Sequence, residues 1–197
     1  MTTAASSRAV FVGLLSWLVL ATVAAATGTL ARLHPPGPQL VILALSIAAI
    51  VAATSVTPVR AWVDGLSLRT LVGIHVVRFV GAAFLVLSAN GLLSPVFAAR
   101  AGWGDIATAA GAVLLLIAGP PAGAIRRAFY HAWNAFGALD LLVAVGTATM
   151  VVFRGDVPGM QPLLRLPYAL VPTFFVPVLF ASHVVLFRRL SADRPAQ

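Results

Sequence analysis

Six long apolar runs, separated by short stretches rich in Pro, Gly and Arg, divide this chain at about residues 9–29, 39–57, 70–90, 105–119, 128–153 and 166–187. All but the fourth approach the ~20 residues that carry a helix across ~30 Å of hydrocarbon. The fourth, closed by Pro120 and Pro121, is short, and local thinning of a bilayer accommodates it at fractions of a kcal/mol per Å. The pattern predicts an all-α membrane protein, a six-transmembrane-helix bundle forming one polytopic domain over residues 1–197. The first run follows Arg8 and ends near Ala24, Ala25 and Ala26, as a signal peptide does. Its apolar stretch exceeds the 7 to 15 residues of a signal h-region, so it is read as a helix that stays in the membrane.

Composition strengthens this picture. The chain is 60% hydrophobic and 9% charged, with mean hydropathy +1.00, against roughly 25% charged residues in soluble domains. No soluble domain has room beside the six runs. Thirteen basic residues give a formal charge of +8, but they stand singly or in pairs at the ends of runs. That placement suits membrane orientation and not a contiguous nucleic-acid face. The partner it implies is the lipid bilayer. The chain has no cysteine, which removes disulfides, thiolate metal sites and cysteine nucleophiles together.

Arginine placement predicts the orientation. Six spans put both termini on one side, and that side collects Arg8, Arg60, Arg69, Arg126, Arg127, Arg188, Arg189 and Arg194. The other side holds Arg32, Arg100, Arg154 and Arg165, while Arg78 lies within a run. The richer side is cytoplasmic by the positive-inside rule, so both termini are expected there.

One internal echo stands out. His75, Arg78, Gly81 and Leu85 of the third run share their spacing with His131, Asn134, Gly137 and Leu141 of the fifth. Both runs leave the cytoplasm, so helices 3-4 and 5-6 read as a duplicated helical hairpin, the kind of parallel repeat found in some transporters. The stretches IHVVRFVGAAFLVL, LLSPVFAARAGWGDI, WNAFGALDLLVAV and LPYALVPTFFVPVLFASHVVLFRRL resemble a group of small bacterial inner-membrane proteins of unknown function. The resemblance covers helices three to six. It implies a bacterial cytoplasmic membrane location and carries no activity or functional residue with it.

Four sets of residues are singled out for chemistry. Arg78 lies ~13 Å into the third run and Asp140 ~18 Å into the fifth at 1.5 Å per residue, and a lone charge at that depth costs ~2.5–3.5 kcal/mol or more. They are expected to pair, with Asn134 as the alternative acceptor. A structural lock and a substrate or proton site are both open readings, because buried pairs often specify packing alone. His75, His131 and His183 lie at similar depths near the cytoplasmic side. His75 with His183 or His131 is the arrangement that axial ligation of a b-type haem requires, and a proton relay or plain hydrogen bonding between helices is equally open. Trp103 and Asp105 are read as an outer-side loop, Asp105 capping the fourth helix and Trp103 in the interfacial belt. Three proline positions, Pro167, Pro172 and Pro177, permit a kink in the sixth run.

GxSxG, Walker A, HExxH and DxxxD motifs are all missing, and the chain has no glutamate. Hydrolytic and diphosphate chemistry are therefore poorly supported. The expectation is a non-enzymatic membrane component with an intramembrane Arg78/Asp140 site. A haem- or quinone-linked redox protein, a small proton-coupled transporter and an accessory subunit bound to a partner membrane protein or a second copy remain as alternatives.

Overall fold

The computed structural model describes residues 4–192, with side chains from residue 7 onward; Arg194 of the orientation count lies outside them. Every element described is helical. Six helices are long and apolar enough to cross a membrane: α1 (Ala4–Ala26), α2 (Gly37–Ser55), α4 (Leu68–Ala89), α5 (Pro95–Ala118), α6 (Ala124–Phe153) and α7 (Val171–Ala192). The short α3 (Thr57–Gly65) fills the α2–α4 connection. Its hydrophobic residues Val59, Trp62 and Val63 pack on the core, while Arg188 pairs with Asp64 and Arg189 donates to the Leu66 carbonyl. Helices α4, α5, α6 and α7 pack in chain order and α7 packs back on α2, while α1 leans on the outside through Trp17, whose Nε1 donates to the Thr173 carbonyl at 3.0 Å.

The surface is apolar as the core is, and a few polar and charged side chains lie deep inside. Phe11, Leu20, Leu114, Ile117, Ile125 and Leu139 point outward, each at least 60% exposed, whereas His75, Arg78, Asn134 and His183 are at most 1% exposed. Exposed apolar area of this extent is what a hydrocarbon solvent accommodates and water does not.

Two helix bounds differ from the hydropathy reading, with consequences for the site. The α5 helix begins at Pro95 and not near residue 105, because Pro95 serves as a first-turn residue whose missing N–H is not needed. This places Gly102, Trp103, Gly104 and Asp105 well inside a helix. The α7 helix begins at Val171, so Pro167 precedes it, Pro172 sits in its first turn, and only Pro177 lies deep enough to open a backbone hydrogen bond.

Three of the long helices depart from α geometry in one region. The α4 backbone tightens to 3₁₀ over Ile74–Val80, and α5 and α7 widen to π turns over Ala98–Gly102 and Val171–Phe175. Such departures mark helices whose backbone is reshaped around a site, and residues of all three line the same cavity.

Candidate intramembrane site

Close backbone contact builds the site. A Cβ on Gly81 would lie 2.7 Å from the Asp105 Cβ, and one on Gly102 would lie 2.9 Å from the Gly81 carbonyl oxygen. The two glycines therefore let α4 and α5 touch backbone to backbone, as small residues do between membrane helices. That approach puts Arg78, one turn before Gly81, against Asp105. Gly104 performs the same service on the next face: a Cβ there would collide with the Asp140 carboxylate of α6.

Arg78 is held at every nitrogen. Its Nε donates to Asp105 Oδ1 at 2.6 Å, Nη1 donates to the Gly137 carbonyl at 2.9 Å, and Nη2 pairs with Asp140 Oδ2. The three side chains are 1%, 9% and 8% exposed. One guanidinium thus faces two carboxylates, and with both ionised the site carries a formal charge of −1.

Asp105 is the main correction to the sequence reading. It caps nothing: the N-cap of its helical segment is Gly102, which has no side-chain cap hydrogen bond, and the carboxylate is spent on Arg78. Asp140 therefore shares the bundle interior with a second carboxylate. Trp103 likewise is no loop residue; it stands on α5 and is 63% exposed on the apolar exterior. Asn134 does not take the arginine. It lies on α6, where its Nδ2 donates to the His183 carbonyl at 3.1 Å and its Oδ1 faces His183 Nδ1 at 2.7 Å.

His75 and His183 form a layer beneath Arg78. Their ring centroids are 4.2 Å apart and tilted by 43°, and Trp133 meets the His75 ring edge-on at 5.2 Å. The neighbours assign the protons. Ser182 Oγ gives its hydrogen to the Leu179 carbonyl at 2.9 Å, so it accepts from His75 Nε2 at 2.8 Å; Asn134 Oδ1 accepts only, so His183 Nδ1 donates. His75 Nδ1 and His183 Nε2 are left buried without partners. Imidazoles in ring contact leave no gap for a porphyrin and its iron, which axial ligation by both would require, and a Cβ on Gly137 would lie 3.0 Å from His183 Nε2. The geometry does not fit a haem held by this pair. His131, the other ligand considered, is half-buried on α6, outside the layer, and its Nε2 is also buried and unpartnered. Among the described residues no cluster of three His, Cys, Asp or Glu could hold a metal ion.

The echo between runs three and five therefore sets equivalent residues to different tasks. Gly81 and Gly137 both stand at tight helix contacts, but Arg78 anchors the ion site where Asn134 orients a histidine. Tyr130 and Trp133 of α6 are buried. Tyr130 Oη donates to the Gly119 carbonyl at 3.0 Å and Trp133 Nε1 to the Thr108 carbonyl at 2.9 Å.

Above Arg78 lies a cavity of about 480 Å³, within the usual ~300–1,000 Å³ of small-molecule sites. Its walls are apolar, with Ile42, Phe84, Leu141, Val171 and Leu179 among them, and Arg78 and Asp105 close its deep end. The opposite end is lined by Arg32, His34, Gln39 and Gln161, in or next to the α1–α2 and α6–α7 connections. Gln39 Oε1 is buried there without a partner. Below the ion site Leu71, Val72, Trp133, Leu186 and Leu190 pack into a closed cluster, and the hollow on that side, lined by Gly111, Leu115, Ile125, Arg126 and Trp133 of α5 and α6 and the residues joining them, includes neither Arg78 nor either carboxylate.

These features define a bundle of six potential membrane-crossing helices with a charged site at mid-depth and a cavity leading to it from one end. The chain belongs to a domain family of unknown function, DUF8737, whose model matches residues 35–191. That match runs from the α1–α2 connection almost to the end of α7 and contains Arg78, both carboxylates and the histidine layer. No curated protein and no solved structure matches the chain.

Proposed function

We propose that this chain is a non-enzymatic integral protein of the bacterial cytoplasmic membrane, both termini cytoplasmic, that binds a small ligand in the cavity above Arg78 as a proton-coupled carrier. The observation that carries the reading is the union of the two features: an apolar cavity of about 480 Å³ ends on Arg78 and Asp105. A structural ion pair alone requires no cavity, and an apolar void alone requires no charge. Intramembrane ionisable residues that face a cavity are the usual mark of substrate or proton pathways. The cavity leads toward the end bearing Arg32, Arg154 and Arg165, the outer face in the orientation given by the arginine count. The closed His75/His183 layer separates it from the cytoplasm, the disposition of a carrier open to one side.

The chain's lack of cysteine makes the test direct. In intact cells, Gln161→Cys and Ala148→Cys, at the mouth and wall of the cavity, are expected to react with a membrane-impermeant thiol reagent added outside. Ala112→Cys, fully buried in α5, is expected not to react. Labelling of Gln161→Cys without Ala148→Cys would show a cavity closed to water and remove the binding reading. Labelling only after the membrane is opened would reverse the orientation.

A further inference from the structure

The proposal rests on the cavity being a binding site, and it concerns what the site selects. Each nitrogen of Arg78 is already committed, to Asp105, Asp140 and the Gly137 carbonyl, and the side chain is 1% exposed. Three of its five N–H groups are already spent, and an anion that reached the remaining two would also meet the Asp105 carboxylate, which lines the wall. The arithmetic of charge points the same way: one positive and two negative groups leave a single negative charge uncompensated in a region of low dielectric. Such a charge is strongly disfavoured there, so the site takes up one positive charge.

The groups around the carboxylates supply no second cation. Arg78 comes from α4, with His75 one turn away on the same helix; α5 and α6 bring Asp105 and Asp140 themselves; α7 brings His183, packed on Gly137. From α2 the wall carries Ile42 and Gln39, both neutral. Arg32 and His34 stand at the mouth, remote from the deep end. The His75/His183 layer hydrogen-bonds through Ser182 and Asn134 in a neutral arrangement. The missing positive charge is therefore either a proton on one carboxyl group or a cation brought by the ligand. The apolar walls further require that the remainder of that ligand be hydrophobic.

We propose that the cavity binds a lipophilic monocation, its positive centre at Asp105, in exchange for one proton. In the empty site the carboxylate pair holds a proton as a carboxylic acid. As the cation enters, that O–H bond breaks, the proton leaves to water through the cavity mouth, and the net charge of the site is unchanged. No bond to the ligand forms. Either occupant satisfies the site, so the two compete, and binding strengthens as pH rises.

Tetraphenylphosphonium and tetraphenylborate, nearly equal in size and opposite in charge, provide the test. Binding is measured by equilibrium dialysis of the detergent-solubilised full chain against empty micelles. The expected result is saturable tetraphenylphosphonium binding that tightens with pH, no tetraphenylborate binding beyond micelles, and a loss of about tenfold or more in Asp105→Asn, the effect of one charge contact in a poorly solvated site. Ala144→Trp, which fills the cavity one turn along α6 from Asp140 without changing a charge, is expected to abolish binding with its helical circular dichroism retained, and it keeps the test decisive if Asp105→Asn does not fold. Equal retention of both probes, or tetraphenylphosphonium binding that ignores both pH and Ala144→Trp, overturns the proposal. If Ala148→Cys nonetheless labels from outside, the cavity is still a site and only its selectivity has been misassigned; if Ala148→Cys is inert, the parent reading falls too.

Discussion

Arg78→Leu is expected to destabilise the bundle by about 3–5 kcal/mol, the usual result of removing one partner from a buried ion pair. The reason is particular to this site, where the guanidinium pairs with two carboxylates and also satisfies the Gly137 carbonyl. Its loss strands Asp105 and Asp140 together at mid-depth, and each is less than one-tenth exposed. The leucine fills part of the space but donates none of the hydrogen bonds. Asp105→Asn and Asp140→Asn are expected to be milder, because each leaves one positive and one negative charge in balance and an amide oxygen can still accept from Arg78. Thermal unfolding in detergent, followed by circular dichroism, orders the three variants. An Arg78→Leu protein as stable as either asparagine variant would show that the arginine is not the centre of the site.

Gly104→Ala is expected to be nearly as damaging, although it adds a single methyl group. That carbon would occupy the position of the Asp140 carboxylate, so either the Arg78–Asp140 contact breaks or α5 and α6 move apart. Overpacking of this kind costs about 1–3 kcal/mol, and here loss of the ion contact adds to it. Ala110→Gly, on the same helix at a half-buried position, is the comparison, since it changes helix propensity by about 1 kcal/mol without touching the site. The measurement is the difference in unfolding midpoint between the two variants. If Gly104→Ala is the more stable, the close approach of α5 to Asp140 is wrong.

Much of the architecture is visible in the sequence because run length is a direct readout of helix length in a bilayer. Arg78 and Asp140 are singled out by depth alone, since few polar residues interrupt the third and fifth runs. Asp105 is harder. Arg100, Gly102, Gly104 and Asp105 lower the hydropathy of residues 95–105, so the stretch reads as a loop, yet the two glycines are there because backbones meet and the aspartate because an arginine waits opposite. The signal was present in the pairing of Gly81 with Gly102 and in Pro95, a suitable first-turn residue. The α3 helix was also legible, through Thr57-Pro58 at its start, apolar Val59, Trp62 and Val63 at helical spacing, and Arg60 four residues before Asp64.

The histidine layer shows a different limit. Matched depth brings His75 and His183 to one level, but whether two imidazoles face across a gap or lie ring against ring depends on the helix rotations. Those are set by Ser182 and Asn134, whose roles appear only once α6 and α7 are packed. The cavity, too, is a property of packing. It arises where α4, α5 and α7 depart from α geometry, and no hydropathy pattern announces a 3₁₀ or π turn.

The central claim is that one arginine is shared by two carboxylates at the foot of the cavity, and a coupling measurement tests it most directly. Unfolding free energies are compared for Arg78→Leu, Asp105→Leu, Asp140→Leu and the two double variants that combine Arg78→Leu with each aspartate change. Partners in one buried network couple by about 0.5–3 kcal/mol, whereas independent sites add within about 0.5 kcal/mol. The account predicts that each double variant is more stable than the sum of its single changes implies, with coupling of Arg78 to both Asp105 and Asp140. Simple additivity in both cycles would contradict it, and with it the site on which the proposed function rests.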